Sequence, residues 1–249
     1  MKSAPSKNFS DWRRKVYKPK IHFVCLVSVD FDVDMLSYFL PHYSDLEMDN
    51  YCIFLHEGKD TDANLWAENS AREMGWKCRF VPREASYGSG ELKRQLLNKF
   101  QRACKPEDYI VSADGDEIQM WKDAPYEIAG QGFDMVLGRR IDRFNEKLVG
   151  IDHALELEAN FPLEHDNLSK VLFPKRPRSR DKIVMAKASC PVDYKKCTNL
   201  VTVAPRDLRV TGEVPILHYK WRDNIFKRLR ERSDYSPDEV KAIHKFFEG

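Results

Sequence analysis

The chain of 249 residues is 42% hydrophobic, 32% charged and 12% aromatic, and 41 Lys and Arg against 39 Asp and Glu leave a formal net charge of only +2. Disorder, which needs fewer apolar residues and a larger net charge, is excluded, as is collagen-like sequence by totals of 11 Gly and 13 Pro. The near-neutral balance argues against coating of nucleic acid, which needs a one-signed field, and the best apolar run, residues 21–29, falls well short of the roughly 20 residues of a membrane span.

Residues 1–20 read as a polar, basic arm without an apolar core, so no secretory signal is expected. Residues 21–29 are β-rich. Residues 34–46 then place Met35, Leu36, Phe39, Leu40 and Tyr43 at helical spacing. A short apolar run at 51–55 is followed by a helix over 62–74, with Asp60 as its N-cap. Residues 77–81 form a strand, 86–90 a small-residue loop, and 91–103 an amphipathic helix marked by Leu92, Leu96, Leu97 and Phe100. Strands are predicted at 109–113 and 133–137. Beyond residue 140 the pattern loosens into short strands at 183–186, 200–203 and 216–219. The chain closes with a helix over 224–232 and another that opens on Ser236, with Pro237 at its first position and Glu239 completing a capping box.

This alternation predicts an α/β fold: a Rossmann-like, mostly parallel sheet with helices on both faces and a looser C-terminal part. One domain is expected over 21–249, regular over 21–140 and looser beyond residue 140. Six cysteines form no CxxC pair, and Cys25 and Cys52 sit inside apolar runs, which suits buried thiols in a reducing compartment, the cytoplasm.

Ligands of open α/β sheets bind outside the carboxyl ends of the strands. At the end of the fourth strand stands Asp114-Gly115-Asp116-Glu117. Three carboxylates in four residues repel one another unless a positive group sits among them, and a divalent cation with oxygen ligands is the expected partner. Alternation points Asp114 and Asp116 the same way, and Gly115 leaves the backbone open to close approach. The plain alternative is an acidic turn that begins a helix. Asp30, Asp32 and Asp34 are expected to cap the helix that follows them. His22 and His42 read as structural. His218, in the run Pro215 to Trp221, is able to complete a carboxylate site, with Lys220 near enough to meet a phosphate. The basic stretch 174–182 reads as a solvated loop or an anion grip, and 226–232 as a charged helix face.

Four stretches together resemble family 2-like glycosyltransferases of the GT-A fold. These are Met35 to Tyr43 after the first strand, Tyr109 to Glu117 in the DxDE form, Gly138 to Phe144 with Phe161 to Leu163, and Val214 to Trp221 with Arg228 and Arg232 behind it. A cytoplasmic, virus-encoded member suits the missing signal and anchor. The resemblance implies a nucleotide-binding half at 21–117 and an acceptor half with the C-terminal helices at 118–249, a nucleotide-sugar donor (UDP favoured over GDP), a glycan or other hydroxyl acceptor, and Mn²⁺ or Mg²⁺ as cofactor. By position, Asp116 ligates the metal with His218, and Asp114 contacts the metal or the ribose side of the nucleotide. Ser28, Val29, His56, Lys93 and Lys220 line the donor, although Lys93 and Arg94 read on their own as a solvated helix face. An inverting reaction needs a carboxylate base; Asp142 is the first choice, with Asp152, Asp166 and Asp193 as alternatives. Two rival readings use the same carboxylates: a metal-dependent phosphoryl-transfer enzyme or nuclease, and a nucleotide-binding module without turnover.

Overall fold

The apolar run of the first strand has no polar face to keep in water, and it lies at the centre of the sheet. In the computed structural model, which describes residues 17–85, 90–166, 168–172, 181–190, 208–231 and 236–248, β1 (Ile21–Ser28) is buried everywhere except at the half-buried His22. It is followed by α1 (Val29–Asp32), a 3-10 turn (Val33–Met35) and α2 (Leu36–Ser44). Next come β2 (Asn50–His56), α3 (Thr61–Glu73), β3 (Lys77–Val81), α4 (Glu91–Ala103) and β4 (Tyr109–Asp114). The four strands are parallel, in the order β3-β2-β1-β4. Alternation along β1 serves two cores. Phe23 packs with Met35, Leu36, Phe39 and Tyr43, and with Ala67 and Ala71 of α3, whereas Val24 and Leu26 pack with Leu97 of α4. Helices therefore cover both faces, as an α/β sheet of this kind requires. Asp60 caps α3 by accepting the Asp62 and Ala63 amides.

The remaining chain adds β5 (Glu117–Gln119), α5 (Pro125–Gly130), β6 (Met135–Phe144), α6 (Leu157–Asn160), β7 (Leu163–His165), α7 (Leu168–Leu172), β8 (Asp181–Lys187), β9 (Val210–Trp221), α8 (Ile225–Glu231) and α9 (Pro237–Glu248). Sheet order continues from β4 through β8, β6 and β9 to β5, with β7 paired to β6. β8 runs against β4 and β6, while β6 and β9 are parallel to each other and aligned with the first four strands. β5 and β7 run antiparallel to β9 and β6. The fold is α/β with a mostly parallel sheet, as expected. The C-terminal part is less loose than its sequence suggests: the strands anticipated at 133–137 and 216–219 grow into long β6 and β9. Their polar residues are paired across strands, which periodicity in one segment does not reveal. The strand anticipated at 200–203 lies outside the described residues, as does the stretch 174–180. Trp221 is buried among Leu168, Leu172, Ile225, Leu229, Ile243 and Phe247, which fastens α7, α8 and α9 to the end of β9. α9 opens on the expected capping box: the Glu239 carboxylate accepts the Ser236 amide at 2.8 Å. Among the described residues no helix is long and apolar enough to cross a membrane.

β6 passes between β8 and β9 at Gly138, where a Cβ would lie 2.5 Å from Val184 Cγ1 and 2.7 Å from Ile216 Cδ1. Both neighbours are buried and β-branched, so neither yields cheaply. Gly138→Ala is expected to lower stability by about 1–3 kcal/mol, the usual range for overpacking, measured by urea unfolding. A change within about 0.5 kcal/mol would mean that β8 and β9 spread freely.

Candidate active site

One edge of the sheet receives the carboxyl ends of β1, β4, β6 and β9 together with the starts of the antiparallel β5 and β8. Strand direction alone therefore gathers Asp114, Glu117, Asp142, Lys182 and His218 from four distant parts of the chain. β9 lies between β6 and β5, so His218 has Asp142 as its register partner on one side and Glu117 on the other. The Tyr219 amide donates to the Asp116 carbonyl at 2.8 Å, which fixes the acidic elbow against β9.

The first half of the site is a buried chain of alternating charges. Lys182 Nζ donates to Asp114 Oδ2 at 2.7 Å and also to Glu117, while Lys93 donates to Asp114 Oδ1. Arg140 Nη2 reaches Glu117 Oε1 at 3.2 Å, and Glu117 Oε2 accepts the Asp114 amide at 3.1 Å. Burial would raise the Asp114 carboxyl, but the Lys182 and Lys93 ammoniums outweigh it and hold Asp114 well below the usual carboxylate range. Burial lowers Lys93 despite the pull of Asp114. Burial also opposes the charge on Lys182, yet Asp114 and Glu117 raise it above the ordinary lysine value. Lys93 thus departs from the solvated helix face expected of it: its side chain is 9% exposed because α4 turns its first turn toward the end of β4. Lys182, at the end of the basic stretch, is likewise buried in β8.

The second half runs through the imidazole. His218 Nδ1 faces Asp142 Oδ1 at 2.5 Å, and Asp142 Oδ2 accepts the Leu168 amide at 2.7 Å. Burial acts to raise the Asp142 carboxyl, but its bond to His218 keeps it below the ordinary value. An ionised carboxylate only accepts, so the Nδ1 proton points to Asp142 and the other ring nitrogen turns to the acidic elbow. Nε2 lies 3.7 Å from Asp116 Oδ2. That oxygen also accepts from Arg228 Nη1 at 2.8 Å, and Arg228 Nη1 reaches Asp32 Oδ1 at 3.2 Å. Arg222, fully buried, donates to Asp32 Oδ1, Asp34 Oδ1 and the Phe31 carbonyl, each at 2.9 Å. Burial would raise Asp116 too, but Arg228 and His218 draw it below the ordinary range. Burial pushes Asp32 up to about 6 against the pull of both guanidiniums.

No N-cap side chain bonds α1 or the 3-10 turn, and Asp30 and Asp32 lie inside the first turn of α1 rather than at its cap. Asp30 Oδ1 accepts the Lys59 amide at 2.9 Å, and Asp32 and Asp34 grip Arg222 from the end of β9. Gly115 is likewise packed against protein: a Cβ there would lie 3.1 Å from Asp32 Cβ and 3.2 Å from Val27. Ser28 and His56 are register partners at the ends of β1 and β2. His56 Nε2 lies 2.8 Å from the Ala85 carbonyl, and Val29 is buried at the start of α1. Lys220 is buried with its Nζ 5.1 Å from the Trp221 ring centre. Asp152 and Asp166 are exposed, Asp166 pairing with Arg139 at 2.9 Å. Asp193 lies outside the described residues.

Two atoms of the site are of the kind a divalent cation takes as ligands. Asp116 Oδ2 and His218 Nε2 face each other without a mutual hydrogen bond, and a carboxylate fixes the imidazole from behind, as it commonly does for metal-binding histidines. Asp114 is not brought to that pair, because both of its oxygens are taken by ammoniums. Among the described residues no group of three or more His, Cys, Asp or Glu side chains is arranged to hold an ion, so further ligands would come from substrate and water. Sequence reasoning missed Lys182, Arg140, Arg222 and the true role of Asp32. The available signal was a charge placed directly beside an apolar strand, at Lys182 before Ile183 and at Arg222 after Trp221.

No family model matches the chain, and no curated protein matches it. Among solved structures, the glucosyl-3-phosphoglycerate synthase of Mycobacterium tuberculosis in complex with Mn²⁺, UDP and glucosyl-3-phosphoglycerate is similar at 14% identity and a TM-score of 0.42, over 92% of this chain and 80% of that one. Staphylococcus aureus TarS, residues 1–349, is similar at 11% identity and a TM-score of 0.41, over 90% and 70%. A proposed glucose-1-phosphate thymidylyltransferase of Bacillus anthracis, solved with sucrose, is similar at 11% identity and a TM-score of 0.45, over 89% and 99%. At such overlap the role of the site rests on its own residues.

Proposed function

We propose that the protein is a metal-dependent glycosyltransferase that moves a sugar from a UDP- or GDP-sugar to an acceptor hydroxyl. The observation that carries this reading is the pair formed by Asp116 Oδ2 and His218 Nε2, 3.7 Å apart at the carboxyl ends of the strands, where α/β sheets bind their ligands. Asp116 and His218 would hold Mn²⁺ or Mg²⁺. Bound there, the ion supplies Lewis-acid compensation of the charge on the departing nucleoside diphosphate.

The charge balance supports a diphosphate ligand. The bonds described above join five carboxylates (Asp32, Asp34, Asp114, Asp116 and Glu117) to five permanent cations (Lys93, Arg140, Lys182, Arg222 and Arg228), while Asp142 is bound to the His218 imidazole. A dication entering with a dianionic diphosphate leaves the charge of such a site unchanged. Asp114 serves the nucleotide side through the 29% of its side chain that stays exposed, while Lys93 and Lys182 hold it in place. Asp142 is reassigned. Buried, with one oxygen on His218 and the other on the Leu168 amide, it orients the imidazole and leaves deprotonation of the acceptor to an exposed carboxylate such as Asp152 or Asp166. Because lysines occupy Asp114, the donor set suits one ion rather than the metal pair of many nucleases and phosphatases.

Thermal unfolding with a panel of nucleoside diphosphates, with and without Mn²⁺, tests the reading. Stabilisation by UDP or GDP that requires Mn²⁺ is expected. Indifference to every nucleotide, or metal-dependent cleavage of nucleic acid instead, would remove it.

A further inference from the structure

We infer that Arg228 is the resident counter-ion of the metal position, so that the divalent cation enters together with the nucleoside diphosphate and not before it. This rests on the reading of Asp116 and His218 given above. α8 delivers a single guanidinium nitrogen to two carboxylates: Nη1 donates to Asp116 Oδ2 at 2.8 Å and to Asp32 Oδ1 at 3.2 Å. The Asp116 oxygen it uses is the one that faces His218 Nε2. An ion that took this oxygen and this nitrogen as ligands would meet Arg228 on the same atom, and two like charges on one carboxylate oxygen repel.

Asp32 is the second resting place. It is already anchored by Arg222 at 2.9 Å, and the Arg228 guanidinium lies 5.9 Å from the Phe31 ring centre, on the Asp32 side of the site. Arg228 can therefore release Asp116 without leaving its anionic surroundings. The released guanidinium and the incoming dication still crowd one small buried volume, where charges are weakly screened. A diphosphate relieves the crowding by bringing anionic oxygens to both. Metal and nucleotide are then thermodynamically coupled, each tightening the other by the same factor. Arg228 is a positioning residue in this scheme: it acts through the occupancy of Asp116.

Calorimetric titration of Mn²⁺ into wild type, Arg228→Gln and Arg228→Lys, each alone and with UDP or GDP, tests the inference. Thermal transitions of the metal-free proteins report folding. Wild type is expected to bind Mn²⁺ roughly tenfold tighter when nucleotide is present. Arg228→Gln is expected to bind Mn²⁺ alone roughly tenfold tighter than wild type and to lose most of the coupling, whereas Arg228→Lys, which keeps the charge, follows wild type. A folded Arg228→Gln protein with unchanged or weaker Mn²⁺ affinity overturns the inference while leaving the proposed function standing. Nucleotide-independent Mn²⁺ binding by wild type overturns it as well, without need of a variant. Absence of Mn²⁺ binding by all three proteins, with and without nucleotide, overturns both.

Discussion

Asp116→Asn is expected to abolish Mn²⁺-dependent stabilisation by a nucleoside diphosphate while leaving the protein folded. A ligand present at about 100 times its Kd stabilises the native state by about 2.7 kcal/mol, which for a chain of this size is a shift in Tm of about 5–10 °C. That shift is the quantity that disappears. Asparagine preserves the volume of the side chain and can still accept from Arg228, which in turn keeps Asp32 as a partner. What is lost is the negative charge facing His218 Nε2. The measurement is a pair of thermal unfolding curves, with and without Mn²⁺ and nucleotide, for both proteins. If the variant keeps the wild-type shift, the metal is held elsewhere and the elbow is only a structural ion network.

Arg222→Ala is expected to be the most destabilising single change at the site, by about 3–5 kcal/mol. Arg222 is fully buried and ties the end of β9 to Phe31, Asp32 and Asp34 beyond β1. Its removal leaves the Phe31 carbonyl with Asn224 and the buried Asp32 carboxylate with Arg228 as the described donors, and a buried carboxylate deprived of its closer cation costs far more than the pair contributes when intact. The comparison that isolates this cause is Arg222→Met combined with Asp32→Asn. If stranded charge is the origin, this double variant should unfold in urea at a higher midpoint than Arg222→Ala. A loss below about 1 kcal/mol in Arg222→Ala would mean that water reaches Asp32 and that the link between β9 and β1 is dispensable.

The first half of the chain, residues 21–117, was legible because its signals are local. The boundaries of α3, β3 and α4 fall within a residue or two of the hydrophobic pattern, and Asp60 and Ser236 cap the helices they precede. The second half was less legible. β6 carries Arg139, Arg140, Asp142 and Arg143 within a strand, and β9 carries Glu213, Pro215, His218 and Lys220. Such residues suggest loops until their partners on neighbouring strands are known.

The acidic elbow divides in the same way. Its position at a strand end, and the need for positive charge among its carboxylates, followed from the sequence alone. The source of that charge did not. The sequence pointed to a metal ion, whereas the fold supplies Lys93, Lys182, Arg140 and Arg228, the last three from at least 23 positions further along the chain. Local pattern determined which segments are strands and helices and where carboxylates collect, because burial and capping act between near neighbours. Tertiary structure decided which cation meets which anion. Ion pairing depends on strand order and direction, and here antiparallel β8 and the register of β9 bring Lys182 and His218 to the same edge as Asp114 and Asp116.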